Sequence, residues 1–206
     1  MKKKPKRAIW ATVSNMRIGI SGSPGTGKRS VGMELSRQSG LEFISLNDVA
    51  IKKRTGSWVK GEFRVDSNAL RRVLTDMRGK IVSGHILPYV VPSNQLDFVA
   101  VLRCSPNELR KRYLSRGYSR EKVLENVEAE FLDLVSFKCL ETYGIEKVAE
   151  FDTTKMRSST VARRILNTLA GKLRRSYGIG TWSLKAPRSP KDLRRVLEMT
   201  PGRERD

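Results

Sequence analysis

The stretch from Gly22 to Ser30, which reads GSPGTGKRS, most limits what this chain can fold into. It follows a short apolar run, Met16 to Ser21, and precedes a segment with helical spacing of its apolar residues. Glycines between a strand and a helix let the backbone curl, so that successive N–H groups and the helix N-terminus face an anion. Lys28 adds a full positive charge. The sequence therefore predicts a phosphate-binding P-loop, and the competing interpretation is a glycine-rich turn without a ligand.

The residue after the loop lysine departs from the usual pattern. Four residues separate Gly22 from Gly27, and Lys28 follows, which is the P-loop spacing. The next position, normally Ser or Thr, is Arg29, and the hydroxyl residue Ser30 comes one place later. The loop therefore predicts phosphate binding, with metal handling that differs from that of the usual P-loop.

Five apolar segments alternate with amphipathic ones and predict an α/β fold. The strands are expected at residues 16–21, 41–45, 80–85, 97–103 and 148–152. Residues 97–103 are almost continuously apolar, as in a strand that is covered on both faces. The alternation predicts a five-stranded parallel sheet with helices on both faces and right-handed crossovers. A single long helix is expected over 119–140, and residues 52–65, without a clear period, are expected to be a mobile segment.

The positive charge of the chain is concentrated at its two ends. The net charge is +20; residues 1–17 carry six Lys/Arg and no acid, and residues 172–206 carry ten against four Asp/Glu. We expect a basic arm over 1–15, one domain over 16–173 and a largely disordered basic tail over 174–206, and Met16 is a candidate start. Such charge favours polyanionic partners, RNA above all. The alternative is a basic soluble protein from a salty or hot cytoplasm.

Cysteines and apolar runs indicate the compartment. Cys104 and Cys139 lack metal-ligand spacing and are expected to be buried thiols in a reducing cytoplasm. Since no apolar run approaches the length of a membrane span, and no apolar core follows the basic start, neither a membrane partner nor an export signal is predicted.

Polar residues are predicted at the carboxyl ends of several strands, where open parallel sheets bind ligands. Asp48, Ser83, His85 and Arg103 follow or end strands and are expected to share a cleft with the loop. Phosphoryl transfer needs positioning and positive charge there, together with Mg²⁺. Individually, His85 is equally compatible with a hydrogen-bonded polar residue, Asp48 with a helix N-cap, and a further cation, Arg116, with a solvated helix end.

Several stretches resemble the small archaeal and nuclear adenylate kinases. In the loop, the hydroxyl residue lies two places after the lysine, as in the adenylate-kinase variant. The stretches 102–105, 115–119 and 125–130, which read LRCS, SRGYS and ENVEAE, are also similar to that family. The resemblance runs from about Met16 to Leu173. It implies a nucleoside monophosphate kinase with ATPase side activity, tied to maturation of the small ribosomal subunit, in a P-loop fold with short LID and monophosphate-binding segments.

The resemblance also implies roles for individual residues. Lys28, His85 and Arg116 would be catalytic, with Arg116 opening the LID over about Ser115 to Glu125. Residues from about Leu46 to Asp66 would bind the monophosphate. The implied cofactors are ATP and Mg²⁺, and no metal-ligating residue is assigned. The residues implied to hold ATP are Gly25, Gly27, Lys28, Arg29, Ser30, Arg116 and Lys155.

One position departs from the family signature and leaves the function open between hypotheses. Ser83 stands where the acid of the family's Asp-x-His signature is expected, so that turnover is slow or another carboxylate such as Asp48 substitutes. The leading hypothesis is ATP plus AMP giving two ADP. The second is a nucleotide-gated assembly factor that binds a small-subunit ribosomal protein or rRNA and has little kinase activity. A third is a kinase of another small phosphate acceptor.

Overall fold

A parallel five-stranded sheet forms the centre of the molecule, in a computed structural model that describes residues 13–59, 62–74 and 76–179. The strands lie in the order β2-β5-β1-β6-β7, and every neighbouring pair is parallel. All five strands lie where the sequence predicts them. A separate antiparallel hairpin, β3 and β4, lies outside this sheet. The strands are β1 Ile18–Ser21, β2 Glu42–Ser45, β3 Gly56–Val59, β4 Glu62–Val65, β5 Lys80–Ser83, β6 Phe98–Arg103 and β7 Val148–Asp152.

Helices connect the parallel strands, and both faces of the sheet are covered. A short 3₁₀ turn, Ser93–Gln95, precedes β6. Serine or aspartate side chains cap four of the helices at their N-termini, as their sequences favour. The helices are α1 Lys28–Ser39, α2 Leu46–Lys52, α3 Ser67–Val73, α4 Leu87–Val90, α5 Pro106–Leu114, α6 Arg120–Phe131, α7 Leu134–Tyr143 and α8 Ser158–Leu169.

Two apolar cores hold the layers together, one on each face of the sheet. On one face, α1 and α8 pack on side chains such as Ile18 and Leu102. On the other, α2, α3, α4 and α7 pack on side chains such as Val82 and Val99. A smaller cluster joins α5 to α6, with Tyr113 buried in it. The predicted doubly covered parallel sheet is therefore confirmed.

The long helix predicted over 119–140 is two helices. The break lies between α6 and α7 at Asp133, which has a left-handed φ of 56°. Its carboxylate receives a hydrogen bond from buried Arg103. A continuous helix would need right-handed backbone angles at Asp133, so the helix breaks at the residue that pairs with buried Arg103.

The segment predicted to be mobile, 52–65, contains the hairpin instead. Trp58 on β3 packs edge-on against Phe63 on β4, with ring centroids 5.5 Å apart. The Trp58 side chain is nonetheless 67% exposed. The strands are short and mix polar with aromatic residues, so the sequence lacks the clear alternation of apolar and polar residues that would have indicated a hairpin.

Residues just outside both ends of the predicted domain, 16–173, pack or hydrogen-bond against it. Val13, inside the predicted N-terminal arm, is buried in the core beneath α1 and α8. Beyond Leu173, the carbonyl of Ser176 accepts a hydrogen bond from the backbone N–H of Glu150 at 2.8 Å. Ile179 N–H donates to the Glu150 carboxylate at 2.7 Å. The rest of the predicted arm and tail lies outside the described residues.

Candidate functional site

Two adjoining cavities lie at the carboxyl ends of the central strands and share the P-loop. The first, of about 450 Å³, extends from the loop toward α2 and the end of β5. The second, of about 250 Å³, lies between the loop, α5 and the start of α8. Gly25, Gly27, Ser30 and Arg116 line both of them. One loop therefore has room for ligand groups on two sides.

The P-loop has the backbone shape that its glycines predict. Gly22 has a φ of 135°, and a Cβ there would lie 2.4 Å from the carbonyl oxygen of Leu102, so only glycine fits. Gly27, with a φ of 90°, is the N-cap of α1. The first N–H groups of a helix have no partner within the helix, so those at the start of α1 are available to an anion.

Lys28 is held over the loop by two carbonyl groups. Its Nζ donates to the carbonyl oxygens of Gly22 at 2.8 Å and Ser23 at 2.9 Å. Burial lowers the pKa of Lys28 to about 8, although the negative charge of Glu130 opposes this shift. The ammonium is therefore still mostly protonated at pH 7, and an arriving phosphate would take over from the two carbonyl groups.

This lowered pKa predicts that nucleotide binding weakens in alkaline solution. Above pH 8, the free loop loses the Lys28 charge, whereas bound phosphates stabilise the protonated form. The affinity for a fluorescent ATP analogue should fall by up to about tenfold per pH unit between pH 8 and 9.5. In Lys28→Arg the affinity should not change with pH over this range, because a guanidinium does not titrate there. A flat wild-type profile from pH 7 to 9.5 would contradict the prediction.

Arg29 and Asp48 form an ion pair at the edge of the first cavity. Arg29 Nη1 lies 2.7 Å from Asp48 Oδ2, and both side chains are more than half exposed. Asp48 is not the N-cap of α2; the cap is Ser45, whose hydroxyl accepts from the Asp48 N–H. The carboxylate suggested to replace the missing acid at Ser83 is therefore in the cavity, with its charge partly balanced by Arg29.

Ser83 and His85 lie at the end of β5 and line the first cavity together. Ser83 is only 5% exposed. Burial, together with the charges of Lys28 and Lys122, lowers the pKa of His85 to about 4. His85 is therefore a neutral imidazole near pH 7, which can donate or accept a hydrogen bond but brings no positive charge.

The second cavity contains an arginine that the sequence analysis missed. Arg112 on α5 donates to the carbonyls of Thr153 at 2.8 Å and Thr154 at 3.1 Å, and lies 3.4 Å from that of Gly25. Its side chain thus joins the P-loop to the segment after β7. Its place on α5, one helical turn before Arg116, was a signal that the sequence offered. Other missed lining residues are Phe43, Ser45, Thr153, Met156 and Ser158.

Lys155, expected to hold ATP, is not among the residues that line either cavity. It is exposed and directly precedes Met156, which lines the second cavity. The remaining residues expected to bind ATP, namely Gly25, Gly27, Lys28, Arg29, Ser30 and Arg116, all line the first cavity.

Arg103, expected in the cleft, is buried beside it in an ion-pair cluster. The side chain is 1% exposed and binds the carboxylates of Glu130 and Glu150, each at 2.9 Å, and that of Asp133. Burial by itself lowers the pKa of Arg103, but these neighbouring carboxylates hold it above its ordinary value. Arg103 is thus engaged by protein carboxylates and is not oriented toward a phosphate.

Glu130 connects this cluster to the P-loop. Its Oε2 accepts from the hydroxyl of Ser23 at 2.7 Å, and its Oε1 accepts from Arg103 Nε and from the N–H of Cys104. Tyr113 adds a second link, because its hydroxyl donates to the carbonyl of Pro24 at 2.5 Å. Buried hydrogen bonds from α5 and α6 therefore fix the loop.

Oxygen donors that suit Mg²⁺ are present but few. Ser30, Ser45 and Ser83 supply hydroxyls, and Asp48 supplies a carboxylate. No group of three or more His, Cys, Asp or Glu side chains with metal-site geometry occurs in the described ranges. This sparse set fits a cation that is bound mainly through the phosphates of a nucleotide and water, as Mg²⁺ usually is in kinases.

Comparison with known proteins supports a phosphotransferase. A protein-family model described as "AAA domain" matches residues 18–133. A protein of Thermococcus kodakarensis with the name "Putative adenylate kinase" is 36% identical over 171 residues, which cover 82% of this chain and 93% of the relative. A protein of Methanocaldococcus jannaschii with the same name is 33% identical over 179 residues, which cover 82% and 94%.

Solved structures show the same fold at lower identity. Shikimate kinase from Acinetobacter baumannii, solved with shikimate, is 22% identical with a TM-score of 0.56, over 82% of this chain and all of that one. A gluconokinase from Sinorhizobium meliloti is 20% identical with a TM-score of 0.51, over 77% of this chain and 93% of that one. These similarities concern the kinase-type fold alone. Separately, no helix in the described part of the chain has the length and hydrophobicity of a membrane span.

Proposed function

This chain belongs to the family of archaeal adenylate kinase-like P-loop proteins, and we propose that it transfers the γ-phosphoryl group of ATP to AMP. The products are two molecules of ADP. The observation that carries the proposal is the pair of cavities that meet at the P-loop, with Arg116 lining both. A kinase needs a donor and an acceptor on either side of one phosphoryl group, and this arrangement supplies both sides.

The second cavity suits the nucleoside end of ATP. It is lined by the apolar side chains of Val31 and Met156 and by the planar guanidinium of Arg112. Lys155 directly precedes Met156 and would approach the nucleoside from the solvent side. The phosphates then lie on the loop, with Gly25, Gly27, Arg29 and Ser30 around them. The first cavity, the larger of the two, holds the monophosphate.

Catalysis in this proposal is charge stabilisation and alignment. The bond between the γ-phosphorus and the β–γ bridging oxygen breaks, and a bond from an AMP phosphate oxygen to the γ-phosphorus forms, so no proton or redox partner is required. Lys28 and the loop N–H groups bind the β- and γ-phosphates, and Arg116 stabilises charge on the moving group. Neutral His85 orients the acceptor phosphate by a hydrogen bond.

Ser30, Asp48 and the nucleotide phosphates are the groups that would hold Mg²⁺. When bound, the ion supplies charge neutralisation of the phosphates. Arg29 takes over part of that task, because it carries a fixed positive charge at the loop position where most P-loops have a hydroxyl. The ion pair of Arg29 with Asp48 limits how strongly Asp48 attracts a cation.

A coupled assay across acceptors tests the function. With ATP and Mg²⁺ fixed, ADP formation should rise steeply with AMP and less with CMP, GMP or UMP. Shikimate and gluconate serve as controls, since the third hypothesis is a kinase of another small acceptor. If no monophosphate increases ADP formation above the ATP-only rate, the proposed kinase activity is wrong.

A second candidate function is a nucleotide-gated factor in small-subunit assembly. It is favoured by buried Ser83, where the family signature has an acid, and by the basic ends. Its test compares AMP-dependent ADP formation with ATP hydrolysis in the presence of small-subunit RNA or protein. Strong AMP phosphorylation with no response to ribosomal components counts against it, whereas stimulated hydrolysis with little AMP phosphorylation favours it.

A further inference from the structure

Positive charge without any acid fills the segment that contains α8. Residues 153–179 include seven Lys/Arg and no Asp or Glu. All seven are exposed, and five of them, without Lys155 and Arg175, form what we call the basic α8 surface. They are Arg157, Arg163, Arg164, Lys172 and Arg174.

The five side chains are not neutralised by the protein. Among the described residues, none of them takes part in a side-chain hydrogen bond or an ion pair. Arg175 differs from them, because its guanidinium lies over the ring of Phe98, 5.5 Å from the centroid. It anchors the segment to the domain, so that the chain after α8 is held beside the helix.

Packing of α8 determines which way the charges face. Val161, Ala162, Ile165 and Leu166 are buried against α1 and the sheet. The opposite side of the helix carries Arg163 and Arg164, and both are exposed. Twelve residues of helix span about 18 Å, or roughly five phosphates along one strand of a duplex.

Some cations elsewhere on the described surface are paired with acids, whereas others, such as Lys52, Arg72 and Lys111, are exposed without an acidic partner. Arg37 pairs with Glu34, Arg78 with Asp76, and Lys138 with Glu141. Arg112 and Lys80 have acidic partners as well. The basic α8 surface differs from a surface of mixed charge because its segment, residues 153–179, contains no acid, so its charges present a positive field to a polyanion.

We propose that the basic α8 surface binds the phosphate backbone of nucleic acid. When exposed Lys and Arg side chains neutralise phosphates, counterions condensed on the nucleic acid are released. This release favours binding that does not depend on the base sequence. None of the five residues lines either cavity, although Arg157 lies between Met156 and Ser158 of the second one. The inference does not rest on the proposed kinase activity.

The test is a triple variant in the full chain, Arg163→Gln, Arg164→Gln and Lys172→Gln. Fluorescence anisotropy measures the binding of a labelled single-stranded RNA of about 20 nucleotides, and of DNA of the same sequence, from about 50 to 300 mM salt. Losing three contacts should weaken binding about tenfold or more at 150 mM salt and reduce the slope of log K against log salt by about 2. The RNA and DNA arms identify which nucleic acid is preferred.

The matched control removes the same charge from other helices. Lys52→Gln, Arg72→Gln and Lys111→Gln change three exposed cations that lie outside the two cavities. This variant should bind RNA almost as wild type does, and thermal melts should be unchanged in both variants. Equal losses in both variants, no loss in the α8 variant, or binding to anionic phospholipid vesicles in preference to either nucleic acid would overturn the proposal.

Discussion

Replacing Lys28 with alanine should lower the rate of phosphoryl transfer by a hundredfold or more. The ammonium is the full charge placed over the loop, 2.8 Å and 2.9 Å from two of its carbonyl oxygens. Removing a group that stabilises transition-state charge costs about 3 kcal/mol or more, which corresponds to this factor in rate. Initial rates of ADP formation with AMP, and of ATP hydrolysis without it, measure the effect.

Folding must be separated from chemistry in this variant. The hydrogen bonds of Lys28 are to carbonyl groups of its own loop, so the alanine variant should keep its thermal midpoint. Lys111→Ala, at an exposed position of α5, removes a lysine that lines neither cavity and should retain the wild-type rate. Near-normal turnover in Lys28→Ala would show that the loop is not the site of transfer.

Replacing Arg103 with leucine should destabilise the fold by about 3 to 5 kcal/mol, because it leaves carboxylates buried without their cation. Glu130 and Glu150 are 2% and 3% exposed, and each binds the guanidinium at 2.9 Å. In a chain of this size, such a loss lowers the thermal midpoint on the order of 10 °C. Thermal and denaturant unfolding, monitored by circular dichroism, measure it.

Two further variants show whether burial is the cause. Arg78→Leu breaks an exposed ion pair with Asp76 and should melt close to wild type. Arg103→Met/Glu130→Leu/Glu150→Leu removes the charges together and should recover part of the lost stability, since no carboxylate of the pair remains buried unpaired. If Arg103→Leu melts as Arg78→Leu does, the buried cluster does not stabilise the fold.

The sequence predicts the sheet and the loop because both depend on local patterns. Each parallel strand is an apolar run bounded by polar residues, and glycine spacing before Lys28 is specific to a curled loop. The placement of Ser83 and His85 beside the loop also follows from local patterns, since the carboxyl ends of parallel strands share one edge.

The remaining features depend on contacts between distant residues. Arg103 ends a strand, as a cleft residue would, but carboxylates 27 and 47 positions away bury it. The break at Asp133 belongs to the same cluster. Arg112 pairs locally with Glu108, but its contacts with the carbonyl groups of Gly25, Thr153 and Thr154 join segments that are distant in sequence, and no local pattern predicts those contacts.

The contacts of Ser176 and Ile179 have a consequence for how the protein behaves at high concentration. β7 is an edge of the sheet, and an exposed edge can pair with a strand of another molecule. The carbonyl of Ser176 accepts a hydrogen bond from the outward N–H of Glu150, and the N–H of Ile179 donates to the Glu150 carboxylate. The chain beyond α8 thus covers part of this edge and opposes self-association. A protein shortened to Leu173 would expose the edge to pairing with another molecule.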